Sequence, residues 1–313
     1  MIKHLTYQEI NKSKWDECIK KSFNGIIYGY SWYLDIVCKH WEALVENDYE
    51  RVFPLTTGKK FWINYLYQPF FTQQLGVFSK NILTVNIVSK FLESIPDKYK
   101  FAEIFLNSLN KVDPEKFNVT PQLNHELDLI NSYKNISKKY SKNTKRNIKK
   151  AKESGITIVK NIKPDEIIKI FRENRGKDIQ TLRLKDYLVL KRLIYTCLYK
   201  GAAQIYGAYT KENELCAGAV FIKSNKKVIF LFSGTNAEAR KFSAMSLLID
   251  RFIEENSESH LTFDFDGSNN PGLARFYKSF GSNESTYLKL EINNLSWLAS
   301  NSVKLVKRLR VKI

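Results

Sequence analysis

The most regular alternation of apolar and polar residues in this chain lies at positions 261–266. One face of the predicted strand carries Leu261, Phe263 and Phe265, and the other carries Thr262, Asp264 and Asp266. Gly267 follows directly, where a sharp turn favours a residue without a side chain. Pro271 suits the first turn of a following amphipathic helix, and Gly281 suits its end. The pattern predicts a strand, a polar turn and a helix.

The same criteria divide the rest of the chain into alternating strands and helices, which predicts a mixed α/β fold. After Gly155 we predict a strand at 156–162, helices at 164–175 and 184–200, strands at 203–209, 215–223 and 227–233, a helix at 243–255, and a last strand at 285–292. The first half is less regular, with predicted strands at 41–45, 51–57, 60–67, 101–106 and 118–129 and helices near 8–21, 30–39 and 80–95.

Length and composition limit the class of protein. A chain of 313 residues with 43% hydrophobic content suits two domains. It contains no apolar run of about 18 residues, which a spanning helix would need, and its first residues lack the apolar run of a signal peptide. The four cysteines are widely spaced and the four histidines are isolated, so we expect buried reduced thiols and no metal site. We therefore expect a cytoplasmic, metal-free globular protein.

Charge changes this picture, because the formal net charge is +18. Basic residues concentrate between Tyr133 and Lys152, a stretch that contains no acidic residue. Its apolar residues recur at helical spacing, which predicts a helix with one packed face and a basic remainder. Two interpretations stay open: a solvated surface helix, or a surface that binds a polyanion such as a pyrophosphate-bearing nucleotide, transfer RNA or an anionic membrane.

Two segments resemble the Fem-type peptidyltransferases and their GNAT-like acyltransferase relatives. Those proteins carry an Asp-Phe-x-Gly turn and a Phe-[Lys/Tyr]-Lys-x-Phe-Gly helix, and the matching residues here are Asp264, Phe265, Gly267, Phe276, Tyr277, Lys278, Phe280 and Gly281. Residues 141–155 are similar to the basic helix that begins the second half of Fem-type proteins. The resemblance implies tandem GNAT-like domains: an acceptor-side domain at 1–132, a donor-side domain at 133–295 and a basic C-terminal helix at 296–313.

The resemblance also implies a site for an acyl-CoA donor. In GNAT proteins the pyrophosphate lies on main-chain N–H groups at a helix amino terminus. The corresponding segment here contains Arg240, Lys241, Ser243, Ala244 and Met245. The family signature [Gln/Arg]-x-x-Gly-x-[Gly/Ala] is altered at both small positions, where Ser243 and Met245 stand, and Met245 can crowd a diphosphate. Ser243 as an ordinary cap and Arg240 as a surface charge remain alternatives. Main-chain N–H groups near Phe232 and Ser233 would polarise the donor carbonyl.

Three residues of the resembling strand and helix are the implied catalytic groups. Asp264 would accept a proton from the incoming ammonium, Tyr277 would protonate a departing thiolate, and Lys278 would neutralise a phosphate or the tetrahedral intermediate. Each has a structural alternative: Asp264 can cap a turn or pair with Arg275, Tyr277 can be core packing, and Lys278 can be a surface lysine.

Candidate substrate-binding residues lie elsewhere in the chain. Phenol and amide groups that suit a peptide or a sugar cluster around Pro69, namely Tyr67, Gln68, Gln73 and Gln74. They can equally be polar loop residues. The resemblance gives Arg146 a phosphate-facing role. The amphipathic basic segment 297–313 can lie on an anionic membrane leaflet or pack across the domain junction.

The sequence thus predicts an N-acyltransferase, monomeric or dimeric, that uses acyl-CoA as co-substrate and a small-molecule or peptide amine as acceptor. One alternative keeps the fold and transfers an amino acid from aminoacyl-tRNA to a cell-wall precursor. The other is a non-enzymatic basic protein that binds RNA or a membrane surface.

Overall fold

A computed structural model describes residues 1–60, 62–179, 181–267 and 269–296. The chain folds into two compact units. Of the described residues, unit 1 contains those of 1–122 and 286–296, and unit 2 contains those of 123–285. Apart from Ser296, the predicted C-terminal helix at 296–313 lies outside the described residues.

The described residues alternate between strands and helices throughout. In chain order the elements are β1 (Ile2–Leu5), α1 (Lys12–Lys21), α2 (Ser31–Val37), β2 (Glu42–Glu46), β3 (Arg51–Leu55), β4 (Thr57–Lys60), β5 (Ile63–Tyr67), β6 (Phe78–Ser79), α3 (Val85–Glu93), β7 (Tyr99–Leu106), β8 (Val119–Asp128), α4 (Tyr133–Lys138), α5 (Lys142–Glu153), β9 (Thr157–Lys160), α6 (Pro164–Glu173), α7 (Leu184–Tyr199), β10 (Ala203–Tyr209), β11 (Leu215–Ser224), β12 (Lys227–Thr235), α8 (Ala237–Phe242), α9 (Ala244–Asn256), β13 (Thr262–Asp264), α10 (Pro271–Lys278) and β14 (Asn283–Asn293). Short 3₁₀ helices lie at Ile27–Gly29 and Arg175–Asp178.

Unit 1 contains two groups of paired strands. The first has the order β1-β2-β3-β6 and is antiparallel. In the second, β5 lies between β4 and β7, and β14 pairs antiparallel with the other edge of β7. Inward-facing residues of these strands, including Leu44, Phe53 and Ile104, share a buried cluster with Phe91 of α3.

Unit 2 is built on one twisted sheet with the strand order β8-β13-β12-β11-β10-β9. Neighbouring strands are antiparallel except for β12 and β13, which are parallel. The parallel pair requires a crossover connection, and α8 and α9 supply it.

Helices cover both faces of this sheet. Alternation along β11 directs Ala217 and Ala219 to the face that packs against α9, where Phe252 stacks on Phe221 with ring centroids 3.8 Å apart. The intervening Gly218 faces α6 on the other side and lies against Ile167. Gly218 pairs in register with Gly234 of β12, so α6 rests on two adjacent glycines. The absence of side chains at these two positions lets the helix approach the strands closely.

The predicted elements of unit 2 match the structure closely, and the mixed α/β fold class is confirmed. Three differences are informative. The strand at 261–266 is hydrogen bonded as β13 only over Thr262–Asp264, because the chain then leaves its neighbour β12. The helix predicted at 243–255 is preceded by a separate helix, α8. In unit 1, the strand predicted at 60–67 is interrupted between β4 and β5, and the short strands β1 and β6 were not predicted.

We expect Gly234→Ala to destabilise unit 2 by about 1–3 kcal/mol through overpacking. A Cβ at this position would lie 2.7 Å from the carbonyl oxygen of Ile167 and 3.0 Å from the amide nitrogen of Phe171. Both are main-chain atoms, so α6 itself would have to move. Urea or thermal unfolding measures the loss.

Gly272→Ala in α10 is the matched control for this substitution. There the nearest atom to a new Cβ is the Asn270 side-chain oxygen at 3.2 Å, and alanine is the better helix former. Equal stability of the two variants would contradict the close packing of α6 on β12.

Candidate active site

The central feature of unit 2 is the early separation of its two parallel strands. β12 pairs with β13 only through Lys227, Val228 and Ile229. Beyond that point β12 continues to Thr235 with β11 as its strand partner. The segment after β13 continues along β8, its other neighbour, where the Phe265 N–H donates to the His125 carbonyl oxygen at 3.0 Å. Since antiparallel ladders direct alternate main-chain groups to opposite edges, β12 presents polar main-chain groups to this gap.

A β-bulge in β12 sets which side chains face the gap. Val220 of β11 pairs with Phe232 and Phe221 pairs with Phe230, so Leu231 is one extra residue in β12. A bulge of this kind reverses the alternation of side chains beyond it. Phe230 and Ser233 therefore face the same side, although they are three residues apart.

A cavity of about 300 Å³ opens on this side of the gap. Its walls come from the carboxyl-terminal half of β12, the junction of α8 and α9, and α10. The lining residues are Phe230, Ser233, Thr235, Ala239, Arg240, Ser243, Met245, Ser246, Leu273, Phe276 and Tyr277. The cavity thus combines aromatic and hydroxyl-bearing walls with one guanidinium.

The junction of α8 and α9 brings a helix amino terminus to this cavity. Asn236 caps α8 by accepting the Ala239 N–H at 3.0 Å. Ser243 then ends α8 in the left-handed region, with φ 59° and ψ 33°, and α9 begins at the next residue. Among the described residues, no side chain caps the first turn of α9. The Ser246 N–H donates to the Ser243 carbonyl oxygen at 3.0 Å. The remaining N–H groups of this turn and the positive end of the helix dipole are therefore available to an anion.

Tyr277 supplies the phenol of the cavity wall. Its ring lies 4.9 Å from the Phe265 ring and is buried in the aromatic core, while the residue also lines the cavity. Burial raises the pKa of the Tyr277 hydroxyl above its ordinary value, and the charge of Asp266 acts in the same direction. The phenol is therefore protonated at neutral pH and can donate a proton or a hydrogen bond.

Asp264 lies in a buried ion-pair cluster. Its carboxylate is 3.0 Å from Lys227 Nζ, which also lies 2.7 Å from Glu126. Asp264 also accepts the Asp266 N–H at 2.9 Å. Burial disfavours the charge of Lys227, but Asp264 and Glu126 outweigh this effect and raise its pKa above the ordinary value. The structure places Asp264 at the point where β12 and β13 separate, outside the cavity lining.

The remaining residues predicted around the donor divide between the cavity and the surface. Ser233, Arg240, Ser243 and Met245 line the cavity together with Tyr277. The other predicted residues do not line it. Lys278 is exposed and pairs with Glu284 at 3.0 Å. Lys241 is exposed and pairs with Glu238 at 3.4 Å.

Two further donor-side residues are buried against other groups. Phe232 faces the opposite side of the sheet, where its ring packs 4.8 Å from the Phe171 ring of α6. Ala244 is fully buried in the first turn of α9. These two positions can therefore serve a donor only through their main-chain atoms.

The predicted acceptor residues lie in unit 1, where their side chains hold a loop. Gln68 donates to the Thr72 carbonyl oxygen at 2.7 Å and accepts the Phe105 N–H at 3.0 Å. Gln74 is buried and accepts the Ser108 N–H at 2.9 Å, and it donates to Gln73 at 2.7 Å.

Tyr67 and Arg146 complete the predicted set. Tyr67 ends β5, and its ring lies 5.9 Å from the Tyr65 ring. Arg146 is exposed on α5 and donates to the Asn143 side chain at 2.6 Å.

Several cavity residues were not predicted from the sequence. No sequence motif includes Phe230, Thr235 or Ser246. These residues reach the cavity because of the bulge in β12 and the turn before α9. Leu273 and Phe276 lie on the first and second turns of α10. The helical spacing of Leu273, Phe276 and Tyr277 is the signal that could have grouped them.

Comparison with known proteins identifies the family of this arrangement. Residues 138–279, which include the whole cavity lining, match the family model described as an acetyltransferase (GNAT) domain. This part of the chain is a GNAT-type acyltransferase domain. The resemblance to GNAT acyltransferases that the sequence suggested is confirmed for these residues. No curated protein sequence matches the chain significantly.

Solved structures share the fold at low sequence identity. A crystal structure of FemX aligns with 91% of this chain and 96% of its own chain, with a TM-score of 0.64 and 12% identity. L-PGS from Bacillus licheniformis aligns over 97% of both chains, with a TM-score of 0.55 and 10% identity. The C-terminal domain of a putative lysylphosphatidylglycerol synthetase from Agrobacterium fabrum aligns over 86% of this chain and 88% of its own, with a TM-score of 0.54 and 12% identity.

Two features are absent from the described part of the chain. It contains no group of His, Cys, Asp or Glu residues arranged to hold a metal ion. None of its helices has the length and apolar content needed to cross a bilayer. The four cysteines are buried and unpaired, as the sequence predicted.

His125 of β8 is a buried base behind the cavity. It is fully buried, and neither ring nitrogen has a hydrogen-bond partner among the described residues. Its ring lies 6.2 Å from the Tyr277 ring. Burial lowers the pKa of His125, because the imidazolium would lose its hydration; Glu284 opposes this shift and Lys278 adds to it.

We expect the free energy of unfolding to fall as the pH drops below about 6.5, the ordinary histidine pKa of an unfolded chain. In that range His125 binds a proton more readily in the unfolded state than in the folded state. Acid therefore favours unfolding, by up to about 1.4 kcal/mol per pH unit for one proton. Urea unfolding between about pH 5 and about pH 8 measures this slope.

His125→Gln should flatten the slope, whereas His260→Gln, at an exposed position, should leave it unchanged. An unaltered slope in the His125 variant would show that other groups govern the acid sensitivity.

Proposed function

We propose that this acyltransferase moves an acyl group from an acyl-CoA thioester to an amine. The observation that carries the proposal is the convergence of three kinds of group on one cavity. These are the open edge of β12, the amino terminus of α9 beside Arg240, and the buried phenol of Tyr277. Each matches one chemical requirement of acyl transfer from a thioester.

The donor diphosphate would bind at the amino terminus of α9. A diphosphate carries the charge that the N–H groups of the first turn and the helix dipole favour. Arg240 is exposed at the cavity wall and adds a bidentate donor for phosphate oxygens. Met245 lines the same wall. We interpret its side chain as a limit on how deeply the pantetheine arm of the donor enters the cavity.

The thioester carbonyl would lie at the open edge of β12. Main-chain N–H groups of this edge are held rigidly by the β11 pairing, so they can stabilise a developing oxyanion without reorganising. The neutral acceptor amine attacks the carbonyl carbon and forms the C–N bond. Collapse of the tetrahedral intermediate breaks the C–S bond and releases the CoA thiolate.

Proton transfers complete the step. Tyr277 donates its phenolic proton to the leaving sulfur, and the amine nitrogen loses its extra proton to water, from which Tyr277 is reprotonated. We assign Asp264 a structural role, because Lys227 holds its carboxylate and Asp264 lies outside the cavity lining. Lys278 is likewise assigned to the surface pair with Glu284.

A second candidate donor is aminoacyl-tRNA, and one observation favours it. α4 and α5 border a groove of about 500 Å³ whose walls carry Lys134, Lys138, Lys145, Lys149 and Lys152. Glu153 is the acidic residue of its lining, and it pairs with Lys149 at 3.6 Å. Such a lysine-rich groove suits phosphodiester contacts, whose affinity would fall steeply with salt.

Calorimetric titration of the full-length protein with acetyl-CoA and longer acyl-CoAs tests the primary proposal. We expect micromolar binding of at least one thioester. Arg240→Glu should weaken binding at least tenfold without a change in melting temperature, because the side chain is exposed and reverses charge beside the diphosphate. Lys241→Glu is the matched control, since it makes the same charge change one residue away, outside the cavity lining.

Two results would overturn the primary proposal. Absence of heat with every thioester, together with salt-sensitive binding of tRNA, would establish the second donor instead. Equal loss of affinity in the Arg240 and Lys241 variants would show that net charge, rather than a defined site, governs donor binding.

Tyr277→Phe should lower kcat about 100-fold and leave KM for the thioester nearly unchanged, because general acid catalysis acts in the transition state. Phenylalanine keeps the stacking on Phe265, so stability should hold. Tyr187→Phe, which removes the hydroxyl of another buried tyrosine outside the cavity, is the control. A normal kcat in the Tyr277 variant would remove the phenol from the proton path.

A further inference from the structure

The outer face of α7 exposes four large side chains that the donor site does not use. Leu184 is 62% exposed, Leu188 60%, Tyr195 42% and Tyr199 91%. With about 100° of rotation per residue, these four positions fall within an arc of about 60° along one side of the helix. The buried residues of α7, including Leu193 and Cys197, lie on the opposite side against the core. The four exposed side chains form what we call the α7 stripe.

Basic residues border the α7 stripe on both sides. By the same helical geometry, Lys191 lies along one border, and Lys185 and Arg192 lie along the other. All three are exposed. The acidic residue of the helix, Asp186, points to the other side and accepts the Arg183 N–H at 2.8 Å, where it caps the first turn. The stripe is therefore apolar at its centre, with Lys185 and Arg192 along one margin and the ion pair of Lys191 with Asp165 along the other.

An amphipathic groove adjoins the stripe between α6 and α7. Its volume is about 470 Å³, and Leu184 and Leu188 form part of its wall. Four cations, Lys169, Arg172, Lys177 and Lys191, line it together with two carboxylates, Asp165 and Glu173. Asp165 is held by Lys191 and by the Tyr195 hydroxyl. Because the basic residues of the groove outnumber its carboxylates, the groove has excess positive charge, which suits the phosphate of a lipid head group.

We propose that the α7 stripe is a docking surface for an anionic phospholipid bilayer. A helix that lies in the interface plane needs apolar side chains that enter the acyl boundary and cations that reach lipid phosphates on either side. The stripe and its borders provide this order of groups, and tyrosine is favoured at the level of the head groups. The groove beside it would receive one lipid phosphate.

Charge complementarity selects a bilayer over the other partners. The chain carries a formal net charge of +18, which would repel a second copy of itself and attract an anionic leaflet. Nucleic acid would satisfy the cations but would leave Leu184 and Leu188 in water. The inference does not depend on the identity of the acyl donor, so it can fail while donor binding holds.

Flotation of the full-length protein with vesicles tests the proposal. We expect strong binding to vesicles of phosphatidylcholine with about 30% phosphatidylglycerol and weak binding to phosphatidylcholine alone, since each basic residue near an anionic surface contributes on the order of fivefold in affinity. Leu184→Gln with Leu188→Gln should reduce binding at least tenfold. Lys185→Glu with Arg192→Glu should do the same, and more salt should weaken binding by wild type.

The matched control is Lys142→Glu with Lys150→Glu, which makes the same charge change on exposed positions of α5. The proposal holds if this control floats like wild type while both α7 variants do not, with all melting temperatures equal. It is overturned if the α5 variant alone loses binding, or if the leucine variant floats normally. Binding of an RNA oligonucleotide in place of vesicles would also overturn it.

Discussion

The short pairing of β12 with β13 is the constraint on which the candidate site depends. Two parallel strands that stayed hydrogen bonded throughout would fill the space with main chain and leave no cavity. Here pairing between β12 and β13 stops at Ile229, while the chain beyond Asp264 remains bonded to β8 on its other side. The bulge at Leu231 then turns Ser233 toward the gap. The strand topology therefore creates the space for the cavity, and the side chains then line it.

Two sets of contacts hold the separated strands in place. At the point of separation, Lys227 links Asp264 of β13 with Glu126 of β8. Breaking such a buried cluster would leave a charge without its partner, so it fixes the register of three strands even where its net contribution to stability is small. On the opposite face, the rings of Phe263, Phe265 and Tyr277 stack in succession. This aromatic series positions α10, and with it the phenol of the cavity wall.

Different surfaces of unit 2 carry different chemistry. The cavity at the gap concentrates groups for donor binding and proton transfer, whereas lysines dominate the groove beside α5. α6 and α7 cover the other face of the sheet, and α7 directs leucines and tyrosines outward between basic residues. The basic residues of unit 2 are therefore divided among surfaces of different chemistry. Some of them face a candidate donor, and others border surfaces that have their own candidate partners.

The sequence by itself determined the elements of unit 2 and the family, because periodicity, turn residues and the motif around Asp264 and Tyr277 are local properties. It could not determine which motif residues share a cavity. Asp264 and Tyr277 are close in the sequence, yet strand alternation and the ion pair with Lys227 direct them to different surroundings. Phe230 and Ser246 joined the site only through a bulge and a left-handed turn at Ser243. Such placements arise from long-range pairing and packing, which no local pattern encodes.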